Sequence, residues 1–199
     1  MNPLNRKWFY WGFRRQLSKE FRQTKAEAVW QEARQELWLL LKGRPTLKRR
    51  KGAMVLPAVA LYRAFNLHNE DAEQLLNRYG NRMGQRFAGI VHGLTGIPGV
   101  SGWIWKHVDS ITRRLSSEKL GYRRRIVSRP PDLYGVDILS CPCHELAKEL
   151  DAEKAVLCIC HKDKAYMQGF RRIRYERTTA VSEGAKCCDC RLRYDAKKH

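Results

Sequence analysis

All seven cysteines of this 199-residue chain lie between Cys141 and Cys190. They fall in three tight clusters: Cys141-Pro142-Cys143-His144-Glu145, Cys158-Ile159-Cys160-His161-Lys162-Asp163 and Cys187-Cys188-Asp189-Cys190-Arg191. Each cluster carries a carboxylate, and two carry a histidine. An odd cysteine count fits a pure disulfide framework poorly, and in a reducing compartment clustered thiols more often serve catalysis or metal binding. If these groups act together, the fold must bring three separate segments to one place.

Charge is divided along the chain in the opposite sense. Residues 1–130 hold 26 Lys/Arg against 9 Asp/Glu, a net of +17, whereas residues 131–199 hold 13 against 11, a net of +2. Hydrophobic residues make up 43%, enough for a normal core and against wholesale disorder. The N-terminal stretch has no apolar h-region, and Arg14-Arg15 interrupts it early. No stretch approaches the roughly 18 apolar residues of a spanning helix. The expected location is therefore cytoplasmic.

Residues 3–23 read as a basic amphipathic helix, with Phe9, Phe13, Leu17 and Phe21 at i+4 spacing and Lys7, Arg14, Arg15, Lys19 and Arg22 around them. Such a helix either packs on its own fold or lies on an anionic membrane surface, which would make the chain peripheral to the inner face. A second helix is expected over 25–42, followed by the basic run Lys48-Arg49-Arg50-Lys51, a solvated loop or a contact for nucleic-acid phosphates. Ala53–Leu67 reads as a buried helix with Pro57 in its first turn, and Asn69 as the N-cap of a helix running to about Phe87. Residues 89–102 are rich in glycine and read as a connector, or as a lid near a site. Trp103–Leu120 is expected to be one helix, and Arg123–Pro131 a basic, proline-ended linker between parts.

Beyond it the texture changes. Leu133–Leu139, Ala155–Cys160, Phe170–Thr179 and Cys188–Tyr194 read as strands, with helices over 142–151 and near 163–169. The fold class is α+β: a helical N-terminal part, then a small, mostly antiparallel sheet with short helices. Three parts are expected, namely residues 1–24, the helical region 25–130, and a cysteine-rich region 131–199 packed with 25–130 as one domain.

Two chemistries fit the clusters. Structural zinc takes four ligands, typically with Cys-x2–4-Cys spacing. The pairs Cys141/Cys143 and Cys158/Cys160 are tighter than that, while Cys187/Cys190 matches it, so a cysteine-ligated zinc or iron–sulfur centre stays open beside the expectation of no cofactor. Nucleophilic catalysis needs a thiolate favoured by a base, a cation or a helix N-terminus. Cys141 stands just before a helix with His144 one turn on, Cys160 has Asp163 three residues on, and Cys188 adjoins Asp189.

These residues resemble one family. Cys141-Pro142-Cys143-His144-Glu145-Leu146 is similar to the C-x-x-H/E-E-aromatic segment of the L-2-amino-thiazoline-4-carboxylic acid hydrolases, and Cys160-His161-Lys162-Asp163 to their C-x-x-D. Arg177-Thr178-Thr179, followed by Gly184-x-x-x-Cys188-Asp189-Cys190-Arg191, resembles their R-T…G-x-x-x-C-D-F-R signature. Leu56–Ala64 resembles the apolar helix that precedes the site, so the likeness runs over roughly residues 50–194. Cys190 stands where the pattern has an aromatic, and Cys143, Cys158 and Cys187 are additional thiols. The resemblance implies a hydrolase that opens a thiazoline ring to an N-carbamoyl cysteine, with a small carboxylate as substrate. Cys141, Cys160 or Cys188 would attack, His144, Glu145, Asp163 and Asp189 would move or orient protons, and Arg177 or Arg191 would hold the carboxylate.

Overall fold

The computed structural model describes residues 10, 12–44, 49–131 and 133–195. Its helices are α1 (Phe13–Glu20), α2 (Gln23–Lys42), α3 (Arg49–Leu67), α4 (Ala72–Thr95), α5 (Val100–Lys106), α6 (Val108–Leu115), α7 (Pro142–Lys148) and α8 (Leu157–Met167). The strands are β1 (Arg123–Ser128), β2 (Leu133–Ser140), β3 (Ile173–Glu176) and β4 (Cys188–Tyr194). They form one antiparallel sheet in the order β1-β2-β4-β3, so the fold is α+β. Among the described residues no helix is long and apolar enough to cross a membrane.

Two compact units divide the chain. One comprises residues up to Gly80 with Leu146–Ile159, the other Asn81–Glu145 with residues from Cys160 onward. In the first unit α3 is the central helix: Val55, Leu56, Val59, Ala60, Leu61, Ala64 and Phe65 are all buried, as expected of a helix apolar on every side. Pro57 sits well inside α3 rather than in its first turn, because the helix begins at Arg49. Phe13 and Leu17 of α1 are buried too. The Phe13 ring lies 5.9 Å from Phe65 and 4.3 Å from Tyr79. The described apolar face of the first basic helix is therefore spent on its own unit. Lys7 and Phe9 of that expected helix, and Lys48 of the basic run, lie outside the described residues.

In the second unit the sheet's inner face presents Tyr134, Val136, Ile138, Ile173, Tyr175 and Leu192 to Trp105 and Val108. Trp105 stacks on Tyr194 at 5.4 Å and donates to the Pro131 carbonyl at 3.0 Å. The register pairs Val136 with Cys190 and Ile138 with Cys188. Residues directly opposite in an antiparallel pair share a face, so both thiols join the inner face. Asp137, Asp189 and Arg191 take the outer one.

Several expectations are corrected. Arg123–Ser128 is a strand, not a linker, and it pairs with β2. Ala155–Cys160 is not a strand: a 3₁₀ turn leads into α8. A short apolar run does not separate a strand from a buried helix. Asp71, not Asn69, caps α4: its carboxylate accepts the Gln74 amide at 3.0 Å, while Asn69 adopts φ 55°. Residues 103–120 are broken at His107, and Gly89 and Gly93 lie within α4 rather than in a loop.

Glycine on α4 sets how closely α8 can lie. In the first unit a Cβ at Gly80 would come within 2.3 Å of the Cys158 carbonyl oxygen. In the second, one at Gly84 would meet the Lys162 carbonyl oxygen at 2.5 Å and the Ala165 Cβ at 2.6 Å. Lys162 lies between Cys160 and Asp163, so this contact seats the helix that carries them. A Cβ at Gly89 would touch nothing. Alanine normally stabilises a helix interior by about 1 kcal/mol over glycine, whereas overpacking costs about 1–3 kcal/mol. Gly84→Ala should therefore lower Tm and Gly89→Ala raise it, each by a few degrees in a thermal melt.

Candidate functional site

Cys141 ends up where a helix begins. Its carbonyl accepts the Glu145 amide at 3.0 Å, which makes it the N-cap of α7, and Pro142 follows at the first helical position. The thiolate form of Cys141 is favoured first by the Cys143 thiol, then by the backbone amides of His144 and Cys143 and by the Tyr122 hydroxyl. These outweigh burial and bring its pKa to about 6. N-cap groups normally accept from the second and third helical amides, and here a sulfur takes that place. Cys143 goes the other way: hydrogen bonding to Cys141 and burial push its thiol well up, so it stays the donor. Burial and the neighbouring sulfurs likewise raise Tyr122.

The other two clusters face the same thiolate. Burial pushes Cys160 up to about 12 and Cys188 to about 11, and negative charge on Cys141 adds to both. Ser182 Oγ lies 3.2 Å from Cys160 Sγ, and the Val181 amide donates to Cys188 at 3.3 Å. Cys190 is raised mainly by burial and lies 3.4 Å from the Tyr175 hydroxyl. All of these thiols are half-buried. Asp163 is raised, first by burial, against the pull of Lys162 at 3.0 Å and of Arg177. Its side chain is nonetheless 47% exposed. The carboxyl thus keeps contact with solvent while its surroundings favour the acid form.

Arg177 is the cation common to this cluster, acting on Cys160, Asp163, Cys188 and Cys190. Burial alone would lower the guanidinium, but Tyr175 and the thiols of Cys160, Cys188 and Cys190 more than offset it. One nitrogen reaches the Cys160 carbonyl at 3.5 Å. Its position depends on Asp189. That carboxylate accepts the Thr178 amide at 2.9 Å and the Thr179 amide at 2.7 Å, directly after Arg177, and also bonds both threonine hydroxyls. Together these bonds outweigh burial and hold Asp189 down to about 2.

Of the residues singled out from sequence, Cys141, Cys160, Asp163, Arg177 and Cys188 come together, with His144 contributing its amide. His144 Nδ1 is buried with no hydrogen-bond partner among the described residues. Glu145 is exposed and faces Ser140 Oγ at 3.4 Å. Arg191 turns to the outer face, where Asp137 takes it at 2.8 Å and Arg125 at 2.8 Å. Gly135 makes room for it, because a Cβ there would meet Arg191 Cδ at 3.2 Å. Tyr122, Cys143, Tyr166, Tyr175, Ser182 and Cys190 interact with this cluster but were not singled out. Only Cys143 and Cys190 had a signal in sequence, as members of the clusters. Among the described residues no group of three or more His, Cys, Asp or Glu is placed to hold a metal ion.

A family model described as L-2-amino-thiazoline-4-carboxylic acid hydrolase matches residues 47–192. No curated protein matches the chain in sequence. Among solved structures, an H-NOX protein from S. oneidensis is similar at 10% identity and a TM-score of 0.41, covering 100% of this chain and 98% of that one. An H-NOX mutant from K. algicida aligns at 10% identity and 0.38, covering 99% and 98%. A trafficking protein particle complex subunit 3 from Naegleria fowleri, covalently bound to palmitic acid, aligns at 14% and 0.34, covering 71% and 97%. At TM-scores this low their ligands say nothing of this chain.

Two outcomes follow from the geometry. Iodoacetamide at neutral pH should label Cys141 ahead of Cys160 and Cys188, with a rate that climbs as pH rises through about 6. Cys143→Ala should move that midpoint upward, and peptide mass spectrometry reads both. Asp189 has a folded pKa below the ordinary carboxylate value, so its stabilisation is complete above about pH 4 and is lost as pH falls toward about 2. Asp189→Asn should therefore lower Tm at pH 7, and the gap to wild type should shrink on acidification.

Proposed function

The chain belongs to the L-2-amino-thiazoline-4-carboxylic acid hydrolase family, and from that premise we propose that it hydrolyses a small cyclic amidine-like carboxylate of the 2-amino-thiazoline type, with Cys141 as nucleophile. The observation that carries this reading is the stabilised Cys141 thiolate, whose charge reaches the same two thiols, Cys160 and Cys188, that the Arg177 guanidinium reaches. A thiolate and a fixed cation in one cluster suit an electrophilic carbon tethered to a carboxylate.

Arg177 takes the substrate carboxylate, for which a guanidinium offers a bidentate match. The Cys141 thiolate adds to the ring carbon between nitrogen and sulfur, and the Asp163 proton goes to the ring nitrogen. The adduct collapses: the ring carbon–sulfur bond breaks, the electron pair leaves with sulfur, and an isothiouronium remains on Cys141. Water then adds to that carbon while the Asp163 carboxylate takes one of its protons. Collapse expels the Cys141 thiolate, forms the urea carbonyl and passes the second water proton to the substrate sulfur. The sum is substrate plus one water to an N-carbamoyl cysteine, with Asp163 protonated and Cys141 ionised as at the start.

The direction of each shift supports these roles. Cys141 is ionised near neutrality and Asp163 is held toward its acid form. Cys143 and Tyr122 donate to the thiolate and position it. Asp189 acts at one remove, through Thr178 and Thr179 on Arg177. Arg191, paired with Asp137, is assigned to the sheet rather than to substrate.

The test is turnover of 2-amino-thiazoline-4-carboxylate by the purified full chain. The kcat/KM profile should rise through about pH 6 as Cys141 ionises. Cys141→Ser should cost at least about a thousandfold in kcat, and Arg177→Gln should raise KM by about tenfold or more. Wild-type turnover by Cys141→Ser, or no ring opening by a folded chain with a reactive Cys141, would overturn the proposal.

A further inference from the structure

The second unit carries an apolar, cationic surface far in character from the thiol cluster. Ile90 is 53% exposed, Leu94 56%, Ile97 54% and Trp103 59%. On α4, Arg82, Arg86, Ile90 and Leu94 follow one another at four-residue intervals, and residues at that spacing form a continuous ridge. The ridge runs from cations to aliphatics and ends at the turn holding Ile97. Trp103 stands one turn into α5, its ring 4.8 Å from His107.

That turn is held firmly. Gly99 takes φ 84° and the Val100 amide bonds the Ile97 carbonyl at 3.2 Å. Thr95 Oγ1 accepts the Arg171 amide at 3.0 Å. The Arg171 guanidinium lies against the same turn: a Cβ at Gly96 would sit 3.2 Å from its central carbon, and its Nε donates to His92 at 3.1 Å. A further cation thus flanks Leu94 and Ile97. The segment is cationic: residues 74–108 contain no Asp or Glu, while Arg82, Arg86 and Lys106 lie within them.

We propose that the α4–α5 turn is a membrane-docking surface, in which Ile90, Leu94, Ile97 and Trp103 enter the interfacial layer of an anionic bilayer and Arg86, Lys106 and Arg171 meet its headgroup phosphates. Aliphatic side chains gain free energy by entering acyl chains, and tryptophan prefers the headgroup level. Anionic lipid complements these cations. Nucleic acid would use the cations but gives three aliphatic side chains nothing to stack on. The first basic helix is a poorer candidate, since Phe13 and Leu17 are buried in the other unit.

The experiment is co-sedimentation of the full chain with vesicles of phosphatidylglycerol and phosphatidylcholine in equal parts, and with phosphatidylcholine alone. Binding is expected to the anionic vesicles and to weaken as salt rises. Ile97→Ser and Trp103→Ser should each weaken it about tenfold, and Arg171→Gln about fivefold. These exposed sites should leave Tm unchanged, so a loss reports binding rather than folding. The proposal is overturned by a failure to pellet, by pelleting that Ile97→Ser and Trp103→Ser leave unaltered, by tighter binding to a single-stranded RNA homopolymer than to vesicles, or by a self-associated chain that the same two variants turn into monomer without any vesicle binding.

Discussion

The pairing register of β2 with β4 is the constraint on which the second unit rests. Val136 opposite Cys190 and Ile138 opposite Cys188 place two thiols on the core face. The same register places Asp189 and Arg191 on the outer face, where one grips Thr178 and Thr179 and the other grips Asp137. A slip of one residue would exchange the faces. It would turn the carboxylate and guanidinium into an apolar core and leave the thiols on the outside. The Arg125–Asp137–Arg191 ion cluster works against that slip: Asp137 is buried, and losing either arginine would leave a buried charge short of a partner.

From this register the thiol cluster assembles by local rules. β2 delivers the chain to Cys141, where α7 starts. The free amides of its first turn, the Cys143 thiol and the Tyr122 hydroxyl then settle a thiolate. Asp189 fixes the Arg177 segment from behind the sheet. Glycine at position 84 admits the Lys162 carbonyl and so seats the helix bearing Cys160 and Asp163. No strong single interaction creates the site. Strand alternation, one helix cap and one close helix contact bring three distant segments to one place.

Much of this was legible in sequence. β4 was readable to the residue, because Cys190, Leu192 and Tyr194 alternate with Arg191 and Arg193. The convergence of Cys141, Cys160 and Cys188 was suggested by the order of their clusters. The misreadings have specific causes. Arg123–Ser128 looked like a linker because three arginines hide its alternation: Arg123 and Arg125 are exposed while Arg124 and Ile126 are half-buried. Residue type alone does not show that Asp189 bonds Thr178 and Thr179, or that Arg191 pairs with Asp137. Tyr122 and Tyr175 carry no motif, and their place follows from tertiary packing alone. Ala155–Cys160 was ambiguous because an apolar run fits a buried helix as well as a strand.

The account stands or falls on Cys141 as the atom that bonds carbon. Acid quenching during turnover of 2-amino-thiazoline-4-carboxylate, followed by peptide mass spectrometry, tests it most directly. The account predicts an added mass equal to the whole ring-opened substrate on the peptide containing Cys141, chased away when substrate is exhausted. An adduct on Cys160 or Cys188 instead, or steady turnover with no adduct on any thiol while Cys141→Ser remains active, would contradict it.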